Sequence, residues 1–195
     1  MPPEEGPTLA EILEAIGSHI ATNRATLSER DVETTFFDEG FFDKLGYDKP
    51  GLDVNQERTL QDGTRPDIIT TRNSASVRAV YEFKEPEESL KSIHKDQLKG
   101  YVDQLDADAG VLTNGIQLWL YDGAEGSFHN VFKLSLPAVD GKEGTHADER
   151  EQLVSYLDKD EWDLTDQADV DAYVEETQNS PLNLPEDTNR AREEL

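Results

Sequence analysis

The sequence contains no cysteine, and this absence excludes several kinds of site together. Disulfide bonds, thiolate-bound metals and a cysteine nucleophile all need that side chain. Long apolar runs are missing as well, since no segment approaches the roughly 20 apolar residues of a membrane-spanning helix. The first residues show no signal-peptide pattern. We therefore expect a cytoplasmic protein that has no membrane partner.

Basic residues are scarce. The chain holds 18 lysines and arginines against 43 aspartates and glutamates, which gives a formal net charge of −25 at pH 7. In dilute buffer such a charge repels nucleic acid and destabilises the compact chain. At molar salt the Debye length falls to about 3 Å, so this repulsion is largely screened. The composition resembles that of proteins from salt-in halophilic archaea, with an acidic mesophilic protein as the alternative. It is therefore weak evidence against a nucleic-acid partner.

The length and a change in composition indicate one domain followed by an extension. Domains usually contain about 100–150 residues, so the 195 residues suffice for one domain and a tail. The predicted domain covers residues 1–137, and residues 138–195 form a predicted acidic extension, helical in part and otherwise disordered. Within the extension, Glu151–Tyr156 and Asp169–Glu176 are candidates for one or two acidic helices, and the residues from Asn179 onward are predicted to be disordered.

Apolar residues at helical spacing predict two helices near the start of the chain. The first covers residues 8–22, where apolar residues recur every three or four positions. The second begins after Ser28, a suitable N-cap with Asp31 three residues on, and continues through Phe41. It ends near Gly46, because glycine readily adopts the left-handed conformation that closes many helices.

Short segments of β-type composition follow, interrupted by one further helix. The predicted strands are Leu52–Arg58, Pro66–Thr71, Ser76–Lys84, Gly110–Thr113, Ile116–Tyr121 and Val131–Leu136, and the predicted helix is Leu90–Leu105. Asn114-Gly115 separates two of the strands and is a strong signal for a tight turn. The order of the elements predicts an α/β fold in which a mixed central β-sheet is flanked by helices.

The strand Ser76–Lys84 carries the residues with the clearest chemical meaning. Side chains alternate between the two faces of a strand, so Val77, Ala79, Tyr81 and Phe83 are predicted to share one face. Glu82 and Lys84 then project together from the other face, where the strand ends. If the preceding strand pairs with this one as a hairpin, Asp67 lies beside Glu82.

Two carboxylates at one point suggest a metal site. Mg²⁺ usually takes one or two carboxylates and keeps several waters, and Mn²⁺ can substitute for it. Such an ion polarises a phosphodiester and lowers the pKa of a bound water. Lys84 can orient that water or stabilise charge that develops on the phosphorane oxygens. The alternative is a turn aspartate, Asp67, beside a surface ion pair of Glu82 and Lys84.

The helix after this strand places a polar residue on its apolar side. Gln97 falls inside the stripe formed by Leu90, Ile93, Leu98 and Leu105, and Tyr101 lies one turn further on. A buried amide that loses its hydrogen-bond partner costs about 1–3 kcal/mol. We therefore predict that Gln97 is buried against a partner such as an active-site carboxylate or a phosphate.

Together these residues resemble a family motif. Pro66-Asp67 followed by Glu82-Phe83-Lys84 resembles the PD-(D/E)xK nuclease motif. The five residues from Gln97 to Tyr101 match the QxxxY extension of one branch, which includes the N-terminal nuclease domain of type I restriction enzyme R subunits. The resemblance implies a restriction-endonuclease-like core. It also implies that Asp67 and Glu82 bind the metal together with a backbone carbonyl. Lys84 is then expected to assist the attacking water, Gln97 to act in the site and Tyr101 to have a positioning role.

The resemblance extends to both sides of the motif and covers roughly residues 26–136. The segment from Ser28 to Asp48 is similar to the first helix of that restriction domain, where an acidic residue often completes the site. Glu29 is the predicted residue, with Glu33 one turn away as the alternative. Downstream, the segment from Gly110 to Trp119 is similar to the strand–turn–strand that follows the QxxxY helix.

The resemblance implies a Mg²⁺-dependent DNA endonuclease that acts in restriction–modification or a related defence. Methyltransferase, specificity or helicase subunits are the further partners that it implies, and the chain itself shows no helicase motif. Lys91, Lys95 and Lys99 form a basic row that is predicted to follow a DNA backbone, or else a solvated helix face. Two other functions stay open, namely a catalytically silent nucleic-acid-binding module and a protein-interaction module of a larger restriction complex.

Overall fold

The computed structural model describes residues 6–47, 51, 53–56, 58–73, 76–134 and 157–158. Its helices are α1 (Leu9–Asn23), α2 (Glu29–Asp38), α3 (Phe41–Lys44) and α4 (Ser92–Leu105). Its strands are β1 (Val54–Gln56), β2 (Ile68–Asn73), β3 (Ser76–Phe83), β4 (Ala109–Thr113), β5 (Gln117–Asp122) and β6 (Ser127–Lys133). No helix in the described part of the chain is long and apolar enough to cross a membrane.

The six strands form one sheet, and their order in the sheet follows their order in the sequence. All neighbouring strands are antiparallel except β3 and β4, which are parallel. A parallel pair needs a crossover connection, and α4 supplies it. The predicted α/β fold with a mixed central sheet flanked by helices is therefore confirmed.

Two capping boxes start the first helices. Thr8 caps α1 with Glu11, and Ser28 caps α2 with Asp31, as its sequence predicted. The prediction of one continuous second helix is wrong, because the chain breaks at Gly40, whose φ of +77° belongs to the left-handed region. The short α3 follows that break.

The helices cover the two faces of the sheet separately. The face under α1, α2 and α3 forms the larger core, to which β3 contributes Ala79, Tyr81 and Phe83. The face under α4 forms a second core that contains Val80 and Leu98.

Two residues lie where their sequence pattern did not place them. Val77 packs against the α4 core instead of sharing a face with Ala79, since β2 and β3 shift register between Thr70 and Thr71. A bulge of this kind interrupts the regular alternation, so side chains on either side of it can point to different faces than the simple pattern predicts. Ile93 was assigned to the apolar stripe of its helix, but it is 67% exposed, while the next residue, His94, is buried.

The larger core also includes a residue from far along the chain. Leu157 is completely buried in it, and its backbone carbonyl accepts a 2.8 Å hydrogen bond from the Tyr47 hydroxyl. The Asp158 carbonyl accepts a bond from Arg78 Nε at 3.3 Å. Residues Met1–Lys159 form one compact unit, and Asp160–Leu195 lie outside the described residues. The candidate helices Glu151–Tyr156 and Asp169–Glu176 and the end from Asn179 also lie outside them, so the boundary at residue 137 stays a prediction.

Candidate active site

The hairpin of β2 and β3 brings the two predicted metal ligands together. Ile68 pairs with Tyr81, so Asp67 and Glu82 lie next to each other just beyond that pair. Asp67 is fixed by its own side chain, because Oδ2 accepts a 2.7 Å hydrogen bond from the Phe83 backbone N–H. The predicted proximity of the two carboxylates is thus present in the structure.

Glu82 uses its two carboxylate oxygens differently. Oε1 accepts hydrogen bonds from Lys84 Nζ at 2.7 Å and from Gln97 Nε2 at 2.8 Å. Oε2 is buried and has no hydrogen-bond partner among the described residues. A buried oxygen without a partner is costly, and a charge without one is costlier still. The arrangement therefore holds Glu82 by one oxygen and leaves the other for an additional ligand.

Both carboxyl groups bind their protons more tightly than usual. Burial raises the pKa of Asp67 to about 6, against the lowering effect of the Phe83 hydrogen bond, and the charge of Glu29 raises it further. Burial also raises the pKa of Glu82 to about 7, assisted by the charge of Asp67 and opposed by Lys84. Two like charges close together in a desolvated place disfavour double ionisation.

Lys84 provides the positive charge of the site. Its ammonium donates to Glu82 Oε1 and to the Phe83 carbonyl, both at 2.7 Å, and lies 3.4 Å from Glu29 Oε2. Burial acts to lower the pKa of Lys84, but the hydrogen bond and the charge of Glu82 outweigh it, so the pKa is raised. Lys84 is therefore protonated at neutral pH and acts as a donor and a positive charge.

Gln97 and Tyr101 extend this network from α4. The Gln97 amide donates to the Tyr101 hydroxyl at 2.9 Å as well as to Glu82, and Tyr101 donates to the Arg65 carbonyl at 3.4 Å. The carboxylate partner expected for Gln97 is present. The expected burial is not, because Gln97 is exposed while Tyr101 is buried. Gln97 is thus the solvent-exposed member of this network, and its partners Glu82 and Tyr101 are buried.

Both candidate acids of α2 lie near the site, with different surroundings. Glu29 has a side chain that is 45% exposed and contacts Lys84. Glu33 is buried, and it accepts hydrogen bonds from Arg30 Nη1 at 2.6 Å and from Gln56 Nε2 at 2.8 Å. The charges of both raise the pKa of Asp67. The sequence analysis did not identify Gln56 as a partner of Glu33, because no local pattern indicates that contact. The pairing of Arg30 with Glu33 could have been found from their spacing of three residues on one helix.

A further anchor of the site comes from the turn between β4 and β5. Lys84 N–H donates to the Thr113 carbonyl at 2.8 Å. The Asn114 side chain donates to the Glu88 carbonyl at 2.9 Å, and its oxygen accepts from the Ile116 and Gln117 backbone. The turn therefore holds the segment that follows Lys84. The sequence indicated the turn but not this contact.

Two of the three lysines in the predicted basic row, Lys95 and Lys99, contact other side chains of this protein. Lys91 is exposed at the start of the helix, and Lys95 Nζ lies 3.5 Å from the centre of the Trp119 ring. Lys99 Nζ forms an ion pair with Asp103 at 2.8 Å. The suggestion that this row contacts DNA stays a prediction.

The residues present fit a hard divalent cation. Among the described residues no group of three or more histidine, cysteine, aspartate or glutamate side chains is assembled for a metal. Mg²⁺ does not need such a group, because one or two carboxylates with several waters satisfy it. Asp67 and Glu82 supply two carboxylates, and the buried Oε2 of Glu82 supplies a donor without another partner.

Comparison with known proteins gives one family and two similar structures. The family model described as Type I restriction enzyme R protein N terminus matches residues 36–135. No match was found among curated proteins. A cryoEM structure described as a DrdV–DNA complex has 16% identity and a TM-score of 0.49, covering 76% of this chain and 97% of that one. A fragment assigned as an HsdR subunit of a type I restriction enzyme from Vibrio vulnificus YJ016 has 19% identity and a TM-score of 0.45, covering 66% of this chain. This chain spans about a quarter (26%) of that second chain.

Proposed function

The chain belongs to the family of type I restriction enzyme R protein N-terminal domains, and on this premise we propose that it is a Mg²⁺-dependent DNA endonuclease of a restriction system. The observation that carries the proposal is the buried, unpartnered Oε2 of Glu82 beside Asp67. A carboxylate pair of this kind is suited to a hard cation next to a phosphate. Methyltransferase, specificity or helicase subunits are the proposed partners in a larger complex.

Each residue has a role in this proposal. Asp67 and Glu82 hold the ion, which when bound lowers the pKa of water and polarises the phosphodiester. Gln97 and the Phe83 N–H keep the two carboxylates in place. Lys84 stays protonated, so it orients the water or donates to a phosphate oxygen where negative charge develops. Glu29 lies within reach of Lys84 and is the proposed acceptor for a proton of the attacking water.

The first test compares wild type with Lys84→Ala in the cleavage of plasmid and linear DNA with Mg²⁺ or Mn²⁺. We expect metal-dependent cleavage by the wild type and a loss of about a hundredfold or more in the variant, since a donor at the reacting phosphate is worth this much. The assay is run at high salt, because a net charge of −25 needs screening. Circular dichroism in the same buffer checks that both proteins are folded.

Lys44→Ala is the matched control, because Lys44 is exposed on α3 and interacts with Glu11 near the start of α1. It removes the same charge and should leave cleavage unchanged. If a folded wild type cleaves neither modified nor unmodified DNA, the nuclease proposal fails and a silent binding module becomes the better description.

Metal affinity should depend on pH. Metal binding requires ionised carboxylates, and the pKa values of Asp67 and Glu82 lie at about 6 and about 7. We expect Mn²⁺ affinity to rise steeply from pH 5 to 8, with protons released on binding at the acidic end. Calorimetric titration in two buffers of different ionisation enthalpy measures the release. Asp67→Asn should bind more weakly and release fewer protons; unchanged affinity across this range would contradict the assignment of the ligands.

Asp67 and Glu82 should also make stability depend on pH, and in the opposite direction: metal affinity rises with pH, whereas stability falls. Because both pKa values are raised in the folded protein, the folded state binds these protons more tightly than the unfolded state. Their contribution to stability is present near pH 4 to 5 and is lost as the pH rises through about 6 and 7. In the absence of divalent metal, thermal unfolding at pH 8 should therefore occur at a lower temperature than at pH 5.5, and Asp67→Asn should reduce the difference.

A further inference from the structure

The β1–β2 loop (residues 58–66) lies between Glu57 and Asp67 in the sequence and leads into the carboxylate site. It contains two arginines, Arg58 and Arg65, and one acidic residue, Asp62. Both arginines are exposed. Arg65 lies two residues before Asp67, so the loop leads directly into the metal site.

The loop has a defined structure. Leu60 N–H donates to the Thr64 carbonyl at 2.8 Å and Gly63 N–H to the Leu60 carbonyl at 3.0 Å. The Asp62 side chain accepts from the Thr64 N–H at 2.9 Å and the Thr64 hydroxyl at 2.6 Å. These bonds close the loop on itself. Arg58 and Arg65 lie on either side of this closed segment in the sequence.

Helix α4 fixes the loop relative to the metal ligands. Gln104 Nε2 donates to Asp62 Oδ2 at 2.7 Å, and Leu60 packs against the core under α4. The Tyr101 hydroxyl, which contacts the Arg65 carbonyl, also accepts from Gln97, and Gln97 donates to Glu82. One helix therefore contacts both the base of the loop and a metal ligand.

The charge of the site itself opposes a polyanion. Four acidic side chains, Asp67, Glu82, Glu29 and Glu33, interact there with two basic ones, Lys84 and Arg30. A nucleic-acid backbone that approaches this surface needs additional positive charge, since phosphate contacts supply most of its non-specific affinity. Arginine is suited to this role because its planar guanidinium binds phosphate oxygens in pairs.

We propose that the β1–β2 loop binds the phosphate backbone of the DNA substrate through Arg58 and Arg65. The proposal rests on the proposed nuclease function and names the surface that receives the substrate. The two arginines contact phosphates next to the scissile one, and the contacts of α4 keep them in register with Asp67 and Glu82. Because phosphates carry no sequence information, these contacts contribute affinity and position and not base preference.

The test measures binding of a fluorescent DNA duplex by anisotropy as a function of salt concentration. Ca²⁺ replaces Mg²⁺, and gel electrophoresis checks that the duplex stays intact. Each phosphate contact contributes about −0.9 to the slope of log affinity against log salt. The double variant Arg58→Ala/Arg65→Ala should therefore bind more weakly, with a slope reduced in magnitude by about 1.8. The loss should be equal for two duplexes of unrelated sequence.

Two further variants separate the charge of the loop from other effects. Arg58→Lys/Arg65→Lys should restore most of the slope, because an ammonium also displaces a counterion. Lys44→Ala, at the last residue of α3, should keep the wild-type slope. All variants are compared over the salt range in which circular dichroism shows them folded.

The outcomes distinguish this inference from the function on which it rests. If the wild type binds or cleaves DNA and the double alanine variant keeps the wild-type slope, the loop proposal is overturned and the nuclease proposal stands. A loss confined to one duplex sequence would also overturn it, because it would indicate contacts to bases. A folded wild type that neither binds nor cleaves DNA overturns the nuclease function and this inference together.

Discussion

Glu82→Gln should reduce the rate of metal-dependent cleavage by about a thousandfold or more, while the protein remains at least as stable as the wild type. The amide oxygen can still accept hydrogen bonds from Lys84 and Gln97, so the local network keeps its geometry. The substitution removes the negative charge and the free oxygen that a cation needs. It also removes a buried carboxylate whose ionisation is unfavourable, as its pKa of about 7 indicates.

Three measurements on the same preparation test this expectation: DNA cleavage, Mn²⁺ binding by calorimetry and thermal unfolding without divalent metal. The combination is informative because a merely structural residue would lose stability and activity together. Glu87→Gln is the matched control, since Glu87 is exposed in the segment after Lys84 and changes the charge by the same amount. Full cleavage by Glu82→Gln would show that this carboxylate does not hold the catalytic ion.

Truncation at residue 137 should unfold the protein, whereas truncation at residue 159 should not. The shorter chain lacks Leu157, which is completely buried, and the carbonyl that pairs with the Tyr47 hydroxyl. An emptied leucine site costs about 2–5 kcal/mol, and a lost buried hydrogen bond adds about 1–3 kcal/mol. Native domains are stable by only about 5–15 kcal/mol, so a loss of this size is a large part of the margin.

Circular dichroism of chains 1–137 and 1–159, heated in high-salt buffer, measures the difference. Leu157→Ala in the full chain provides a milder form of the same change, with an expected loss of about 2–5 kcal/mol in the free energy of unfolding. Leu27→Ala serves for comparison, because that leucine is only partly buried and should cost less. A chain ending at residue 137 that is as stable as one ending at residue 159 would contradict the role given to Leu157.

The sequence identified the chemical groups of the site because its signals are local. Alternation along β3 placed Glu82 at the end of a buried strand, and a short connection to β2 brought Asp67 beside it. The capping box at Ser28 and the left-handed Gly46 likewise depend only on nearby residues. Family membership agrees with the resemblance that these residues carried.

Local signals were misleading where packing between distant segments decides the outcome. Ideal alternation assigned Val77 to the wrong face, because the register shift opposite Thr70 belongs to the pairing of two strands. Ideal helical spacing placed Gln97 and Ile93 on the buried side of their helix, yet both are exposed in the structure.

The amino-acid sequence by itself thus determined which donors the site contains and the strands and helices that carry them, since short-range periodicity and capping fix those features. Only the tertiary structure decided how the donors are used. It holds Glu82 by one oxygen, places Glu29 against Lys84 and Glu33 against Gln56, and brings Leu157 into the core. These contacts join residues that are 15 to 110 positions apart. They form because burial and charge compensation are satisfied in three dimensions, and of these contacts only the carboxylate partner of Gln97 followed from a local pattern.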